Sequence, residues 1–246
     1  MIRWVLSLVF IVFAYVTAIL YGALALLFFW APANWLWAFV DNYCRLLLWA
    51  GNFFCGLKVV VEGQENLPET ASVIMIKHTS ALETYGHVPF FPRTSWVLKR
   101  GLLWIPFFGW ALVLLFRPIA INRGAGSQAV KQVIRQGTEK LLAGTWVTVF
   151  PEGTRVPPGE TRIYGISGAA LAREARVKIV PVAHNAGDFW RRREFAKRPG
   201  TIRFCIGPPI DASAQPPKET NLLVQKWIEN KMCEISSVYR NKGNTQ

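Results

Sequence analysis

Between Arg3 and Asp41 the chain carries no charged side chain, and residues 4–30 read WVLSLVFIVFAYVTAILYGALALLFFW. Such a run leaves few structural options. A helix crossing the hydrocarbon core of a bilayer needs roughly 20 apolar residues, and this one is long enough to cross with tilt. A cleaved signal sequence is the competing reading, since Arg3 supplies a basic start and Ala23-Leu24-Ala25 has the small-x-small form. That tripeptide lies inside the apolar run, whereas a signal core is only about 7 to 15 residues long, so the segment is expected to be retained. A second apolar stretch, residues 35–54, is interrupted by Asp41 and Arg45. Each would cost about 2.5 to 3.5 kcal/mol at a central bilayer position. Their i,i+4 spacing lets them pair on one helix face, which favours an interfacial or re-entrant helix over a second clean span. Pro32 makes the turn between the two stretches. Residues 1–56 therefore read as a membrane anchor, either one span plus an interfacial helix or a hairpin dipping in from one side.

The rest of the chain has the opposite character. Of 28 Lys and Arg and 15 Asp and Glu, all but Arg3, Arg45 and Asp41 lie beyond residue 57, within a total net charge of +13. A basic domain tethered beside a bilayer is attracted by anionic lipid, at about 1 kcal/mol per well-placed cation. The expected location is the membrane, with the domain of residues 57–246 on its cytoplasmic face and anionic membrane lipid as a partner. Nucleic acid is not expected: the aromatic residues sit in the apolar segments and are not interleaved with Lys99-Arg100, Arg191-Arg192-Arg193 or Lys197-Arg198. Four cysteines, Cys44, Cys55, Cys205 and Cys233, form no CxxC pair and read as small buried hydrophobes in a reducing compartment.

Beyond residue 57, short β-branched runs at 57–61, 72–76, 119–122, 146–150, 178–182 and 201–206 alternate with helical patterns. The clearest helix begins at Ser127 as N-cap, repeats Val130, Val133, Ile134, Leu141 and Leu142 on one side, and stops at Gly144. Others run over 167–175 and about 219–238. Strands interleaved with helices predict an α/β domain with a mostly parallel sheet flanked by helices, carrying its chemistry on loops that leave strand ends. Residues 101–116, GLLWIPFFGWALVLLF, are uncharged and too short to span, so they form either a buried core helix or an apolar surface that meets lipid or an acyl chain.

Three places carry candidate chemistry. His78 follows the strand SVIMIK, and Glu83 follows in HTSALE. Five residues on a straight helix rotate by about 140°, so a bend between them is required if they are to meet. If they meet, the carboxylate sets the tautomer of the imidazole and makes its other nitrogen a general base. The segment FPEGTR, residues 150–155, ends a strand in a turn where Gly153 permits close backbone approach and Thr154 and Arg155 supply donors, a suitable cradle for an anion. Arg123, closing IAINR, is a second cation at a strand end.

In their order, HTSALE, INR, FPEGTR and IVPV at 179–182 resemble the four motifs of the glycerolipid acyltransferase family, closest to the lysophosphatidate acyltransferases; LLWIPFFGWAL and RFCIGPPI extend the resemblance over roughly residues 57 to 215. One departure is that the first motif usually ends in Asp, where this chain has Glu83. The resemblance implies the glycerolipid acyltransferase fold and transfer of an acyl group from acyl-CoA or acyl carrier protein to the sn-2 hydroxyl of lysophosphatidate. It implies His78 and Glu83 as the catalytic pair, and Arg123, Glu152, Gly153, Thr154 and Arg155 as the acceptor site, with Glu152 on hydroxyl or backbone contacts. No metal and no cofactor beyond the acyl donor is implied, and the thioester oxyanion is expected on backbone N–H groups just after His78. Other acceptors (another lysophospholipid, a lyso-aminolipid, glycerol 3-phosphate) and a non-enzymatic anionic-lipid binder are the alternatives. Ser80 near His78 has no nucleophile-elbow context, and the scattered His78, His87 and His184 lack a zinc-site spacing, which sets serine hydrolysis and zinc chemistry aside.

Overall fold

The computed structural model describes residues 1–105 and 108–243, with the side chains of Phe108, Arg123 and residues 241–243 outside that description. The uncharged N-terminus forms one long helix, α1 (Ile2–Leu27), with most of its side chains outward and only Ser7, Phe10, Gly22 and Ala25 buried. It is long and apolar enough to cross a membrane. A turn ending at Pro32 leads into α2 (Ala33–Cys55), a single helix over the whole second apolar stretch. Asp41 and Arg45 pair on it at 2.8 Å, and Arg45 also donates to the Pro89 carbonyl. Gly56, at φ +65°, ends α2 and turns the chain into the sheet, a conformation that a Cβ would penalise.

Among the described residues eight strands form one sheet: β1 (Leu57–Glu62), β2 (Val73–Ile76), β3 (Thr94–Lys99), β4 (Ile119–Ile121), β5 (Trp146–Val149), β6 (Lys178–His184), β7 (Gly200–Ile206) and β8 (Ile210–Asp211). Their order is β1-β7-β6-β2-β5-β3-β4, with β8 on β6. All pairings are parallel except β6 with β7 and β6 with β8. The mostly parallel sheet agrees with the sequence reading, which missed β3 and β8. Neither shows a β-branched run: TSWVLK has one Val, and β8 is two residues long.

The helices are α3 (Leu82–Gly86), α4 (Phe108–Phe116), α5 (Ser127–Leu142), α6 (Ser167–Glu174), α7 (Ala186–Phe189), α8 (Pro217–Ile235) and α9 (Ser237–Gly243). Ser127 is the first residue of α5 and Gly126 its cap, with no side-chain cap bond, so the capping role expected of Ser127 is not realised. The predicted C-terminal helix breaks at Ser236 into α8 and α9.

Because side chains alternate across a strand, β2 serves two layers at once. Val73 and Met75 face one way, packing in a core with Val133 of α5, Leu171 of α6 and Ile228 of α8. Ile74 and Ile76 face the other way, into a core with Phe204 of β7, Leu82 of α3, and Phe10 and Ala50 from the N-terminal hairpin. The N-terminal helices are thus an outer layer of the sheet as well as an apolar surface, and residues 1–56 share their core with the residues that follow. Of residues 101–116, Ala111, Leu112 and Phe116 of α4 are buried, while Trp104 and Trp110 remain exposed, so the described part of the segment is core on one side and apolar surface on the other; residues 106 and 107 lie outside the described residues. Of the cysteines, Cys44, Cys55 and Cys205 are buried as expected, and Cys233 is exposed, because it lies on the outer side of α8.

Candidate active site

Strands β2 and β5 are neighbours and parallel, with Met75 opposite Val149, so the loops that follow them leave the same edge at the middle of the sheet. This brings HTSALE beside FPEGTR, and the two are latched by the Val156 N–H donating to the His78 carbonyl at 2.8 Å. The carboxyl edge of a parallel sheet is the usual place for a ligand crevice.

The chain bends over Thr79, Ser80 and Ala81 before α3 begins, which supplies the reversal the spacing demanded. Glu83, in the first turn of α3, swings back so that its Oε1 lies 2.8 Å from His78 Nδ1. The Ser80 N–H donates to both Glu83 oxygens, at 2.9 and 3.0 Å. Burial opposes ionisation of this wholly enclosed carboxyl, but His184, His78 and the Ser80 N–H outweigh it and hold Glu83 below the ordinary carboxylate range. With Nδ1 occupied by a carboxylate, the proton of neutral His78 belongs on Nδ1 and the lone pair on Nε2. The Ser80 and Leu82 N–H groups are already bonded, to Glu83 and to Ser80 Oγ, so part of the backbone expected to receive an oxyanion is committed elsewhere.

The histidines that look scattered in sequence gather around Glu83. His87 Nδ1 donates to the Glu83 carbonyl at 2.6 Å; His184 Nε2 donates to the Lys77 carbonyl at 2.6 Å and lies 3.9 Å from Glu83 Oε2. Both rings are fully buried and serve the frame of the site. Burial pushes His87 down to about 4 and also lowers His184. Unfolding returns them to water, where histidine protonates near pH ~6.5. Between about pH 6.5 and 4 the unfolded chain therefore binds more protons than the folded one, and stability falls as pH falls through that window. His87 alone accounts for on the order of 3 kcal/mol. Glu83, held low, adds its own loss only below about pH 4.3. Thermal melts at stepped pH should show Tm declining across the window, less steeply in His87→Gln; a flat profile would contradict the buried neutral rings.

Around the exposed side of His78 lies a cleft of about 410 Å³, whose wall includes Phe150, Thr154, Arg155, Lys99 and Arg192. The Phe150 ring leans on the His78 ring at 4.3 Å between centroids. Thr154 and Arg155 thus stand in the cleft beside His78. Gly153 is exposed with open space where a Cβ would lie, and its φ of +68° shows that the turn itself requires glycine. Glu152 makes a backbone contact of the kind expected of it, from beneath the cleft and not on its wall. It is buried beneath the cleft, in an ion pair with Lys77 at 2.9 Å, and accepts the His78 N–H at 3.1 Å. Burial pushes the Glu152 carboxyl up against the pull of Lys77. For Lys77, burial works against the charge, yet Glu152, Tyr239 and Glu229 more than offset it and raise its pKa. Arg123 follows β4, two strands from β5, and its side chain lies outside the described residues.

Sequence reasoning missed Lys77, Lys99 and Arg192. A lysine between an apolar strand and a histidine gives no sign that carboxylates from distant segments meet it. A second cavity, of about 190 Å³ and almost wholly apolar, lies between α1, α2 and α4 and shares Thr84, Trp96 and Leu112 with the cleft.

A family model described as Acyltransferase matches residues 58–185. The chain is 45% identical over 202 residues to the 1-acyl-sn-glycerol-3-phosphate acyltransferase of Pseudomonas aeruginosa, covering 81% of this chain and 78% of that protein. It is 28% identical over 205 residues to the human 1-acyl-sn-glycerol-3-phosphate acyltransferase alpha, covering 81% and 72%. In fold it resembles the crystal structure of the 1-acyl-sn-glycerophosphate acyltransferase from Thermotoga maritima, with a TM-score of 0.79, 22% identity and 94% of each chain covered.

Proposed function

Because the chain belongs to the acyltransferase family, we propose that it is a membrane-bound 1-acylglycerol-3-phosphate O-acyltransferase, moving an acyl group from an acyl-thioester to the sn-2 hydroxyl of lysophosphatidate. The observation that carries this reading is the buried Glu83–His78 pair at 2.8 Å, set at the floor of a cleft with Arg155 on its wall and an apolar cavity alongside. In this scheme His78 Nε2 removes the hydroxyl proton as the oxygen attacks the thioester carbonyl. The new C–O bond forms, the C–S bond breaks, and the imidazolium returns its proton to the departing thiolate. Glu83 holds the ring and stabilises its positive charge. The thioester is already activated, so direct transfer in a ternary complex suffices, without a covalent enzyme intermediate.

Arg155 and Thr154 bind the acceptor phosphate, Arg123 assists from the turn after β4, and the apolar cavity receives acyl chain. Helix α1 lies in the membrane, with the sheet domain on the cytoplasmic side and its basic surface held by anionic lipid. The donor is acyl-CoA or acyl carrier protein, both acidic and suited to that surface.

Purified protein in detergent, given labelled acyl-CoA or acyl carrier protein and, separately, lysophosphatidate, glycerol 3-phosphate and a neutral-headed lysophospholipid, should acylate lysophosphatidate. Transfer to another acceptor alone would change the substrate, and no transfer with either donor would favour a lipid-binding role. Arg155→Ala should raise the lysophosphatidate KM by about 10- to 100-fold, the value of a desolvated charge-assisted hydrogen bond, with the donor KM within about twofold. An unchanged acceptor KM would place the phosphate elsewhere.

A further inference from the structure

The reaction scheme gives no task to Lys77, a buried cation adjoining the proposed base. Lys77 immediately precedes His78, and its fully buried ammonium lies 2.6 Å from Glu229 Oε1, 2.9 Å from Glu152 Oε1 and 3.2 Å from the Glu160 carbonyl. Three distant parts of the chain meet there: the end of β2, the FPEGTR turn and α8. Glu229 is itself held by the hydroxyls of Tyr164 and Thr161, at 2.9 and 3.0 Å.

The other oxygen of Glu152 accepts the N–H of His78, while the carbonyl of His78 accepts the N–H of Val156. The backbone of His78 is therefore gripped on both sides by the turn, and the carboxylate that makes one of those contacts is aimed by Lys77. Burying an ion pair contributes little to stability, because desolvation offsets the attraction. What this pair supplies is position, and a displacement of roughly 1 Å at a reacting group costs about a hundredfold in rate.

We propose that Lys77 and Glu229 are positioning residues for acyl transfer: Glu229 of α8 anchors Lys77, and Lys77 holds Glu152 against the backbone of His78. Helix α8, beyond the family-matched residues 58–185, is then a working part of the site. The inference rests on His78 being the general base.

The test measures kcat and both KM values for Lys77→Met, Glu229→Gln, the double variant Lys77→Met/Glu152→Gln and, as a surface control on the same helix, Lys226→Gln. Lys77→Met should lower kcat about thirtyfold or more, with both KM values within about twofold. Glu229→Gln, whose side chain is 20% exposed and which still offers Lys77 an acceptor, should lower kcat about fivefold. The double variant should be at least about threefold more active than Lys77→Met, because it removes the stranded charge while its amide oxygen still accepts from His78. A kcat within about twofold of the parent in Glu229→Gln, or a double variant no better than Lys77→Met, overturns the proposal. If Lys77→Met does not fold, Glu229→Gln decides alone. His78→Ala runs in the same assay: activity there removes the base reading itself, whereas an inactive His78→Ala beside fully active Lys77 and Glu229 variants removes only this inference.

Discussion

A fall of about 10⁴-fold in acyl transfer is the expected result of Glu83→Gln, in a protein that remains folded. The two Glu83 oxygens accept three contacts: Oε1 from His78 Nδ1 and Ser80 N–H, and Oε2 from the same Ser80 N–H. A carboxamide of the same shape has one acceptor oxygen. Turned toward Ser80, it points its NH₂ at Nδ1, which must then become an acceptor; the ring proton moves to Nε2 and the base is blocked. Turned toward His78, it forces NH₂ against the Ser80 N–H. In both orientations the negative charge that stabilises the imidazolium is gone. His78→Ala should cost a similar factor, and the double variant scarcely more than either, because the two residues act as one unit. Comparing kcat/KM of the three variants checks this. Multiplicative losses, or a Glu83→Gln enzyme with a tenth or so of parental activity, would show that the pair is not the catalytic unit.

Phe10→Ala should destabilise the protein by about 3 to 5 kcal/mol, although Phe10 lies on the most lipid-like helix of the chain. Its ring is only 1% exposed, packs edge-on against Trp190 at 5.7 Å, and belongs to the same core as Ile74, Val182 and Phe204. Truncation leaves a cavity between α1 and the sheet that the rigid strands cannot collapse to fill. Val12, two residues on, is 52% exposed, so Val12→Ala should change stability in detergent by no more than about 0.5 kcal/mol. Denaturant or thermal unfolding of the two variants tests whether α1 is an integral layer or a tether. Equal effects, both near zero, would mean a tether.

Much of the fold was legible because the patterns that specify it are local. Six of the eight strands found among the described residues announce themselves by β-branched runs, and β3 and β8 do not, because TSWVLK contains no such run and β8 is two residues long. α5 was readable from its apolar spacing, yet its cap was misassigned by one residue, since Gly126 at φ +48° already sets the turn. In the site, His78, Glu83, Thr154 and Arg155 were legible as residue types in ordered motifs. Glu152 was legible in the same way, but its burial and ion pair were not, because they depend on Lys77, which lies 75 positions earlier and has no signature of its own.

By itself the sequence determined that two apolar helical stretches precede a basic α/β domain, and that a histidine with a carboxylate and a turn with an arginine follow strand ends. These are consequences of periodicity, charge and turn chemistry over a few residues. Only the tertiary structure decided that β2 and β5 lie side by side, that Glu83 collects all three histidines, that Glu152 turns inward, and that α1 and α8 both reach the centre. Those choices depend on which buried charges and apolar faces find partners far along the chain. A desolvated ammonium or carboxylate tolerates burial only where the whole fold brings its counter-charge within about 3 Å, and no local pattern encodes that meeting.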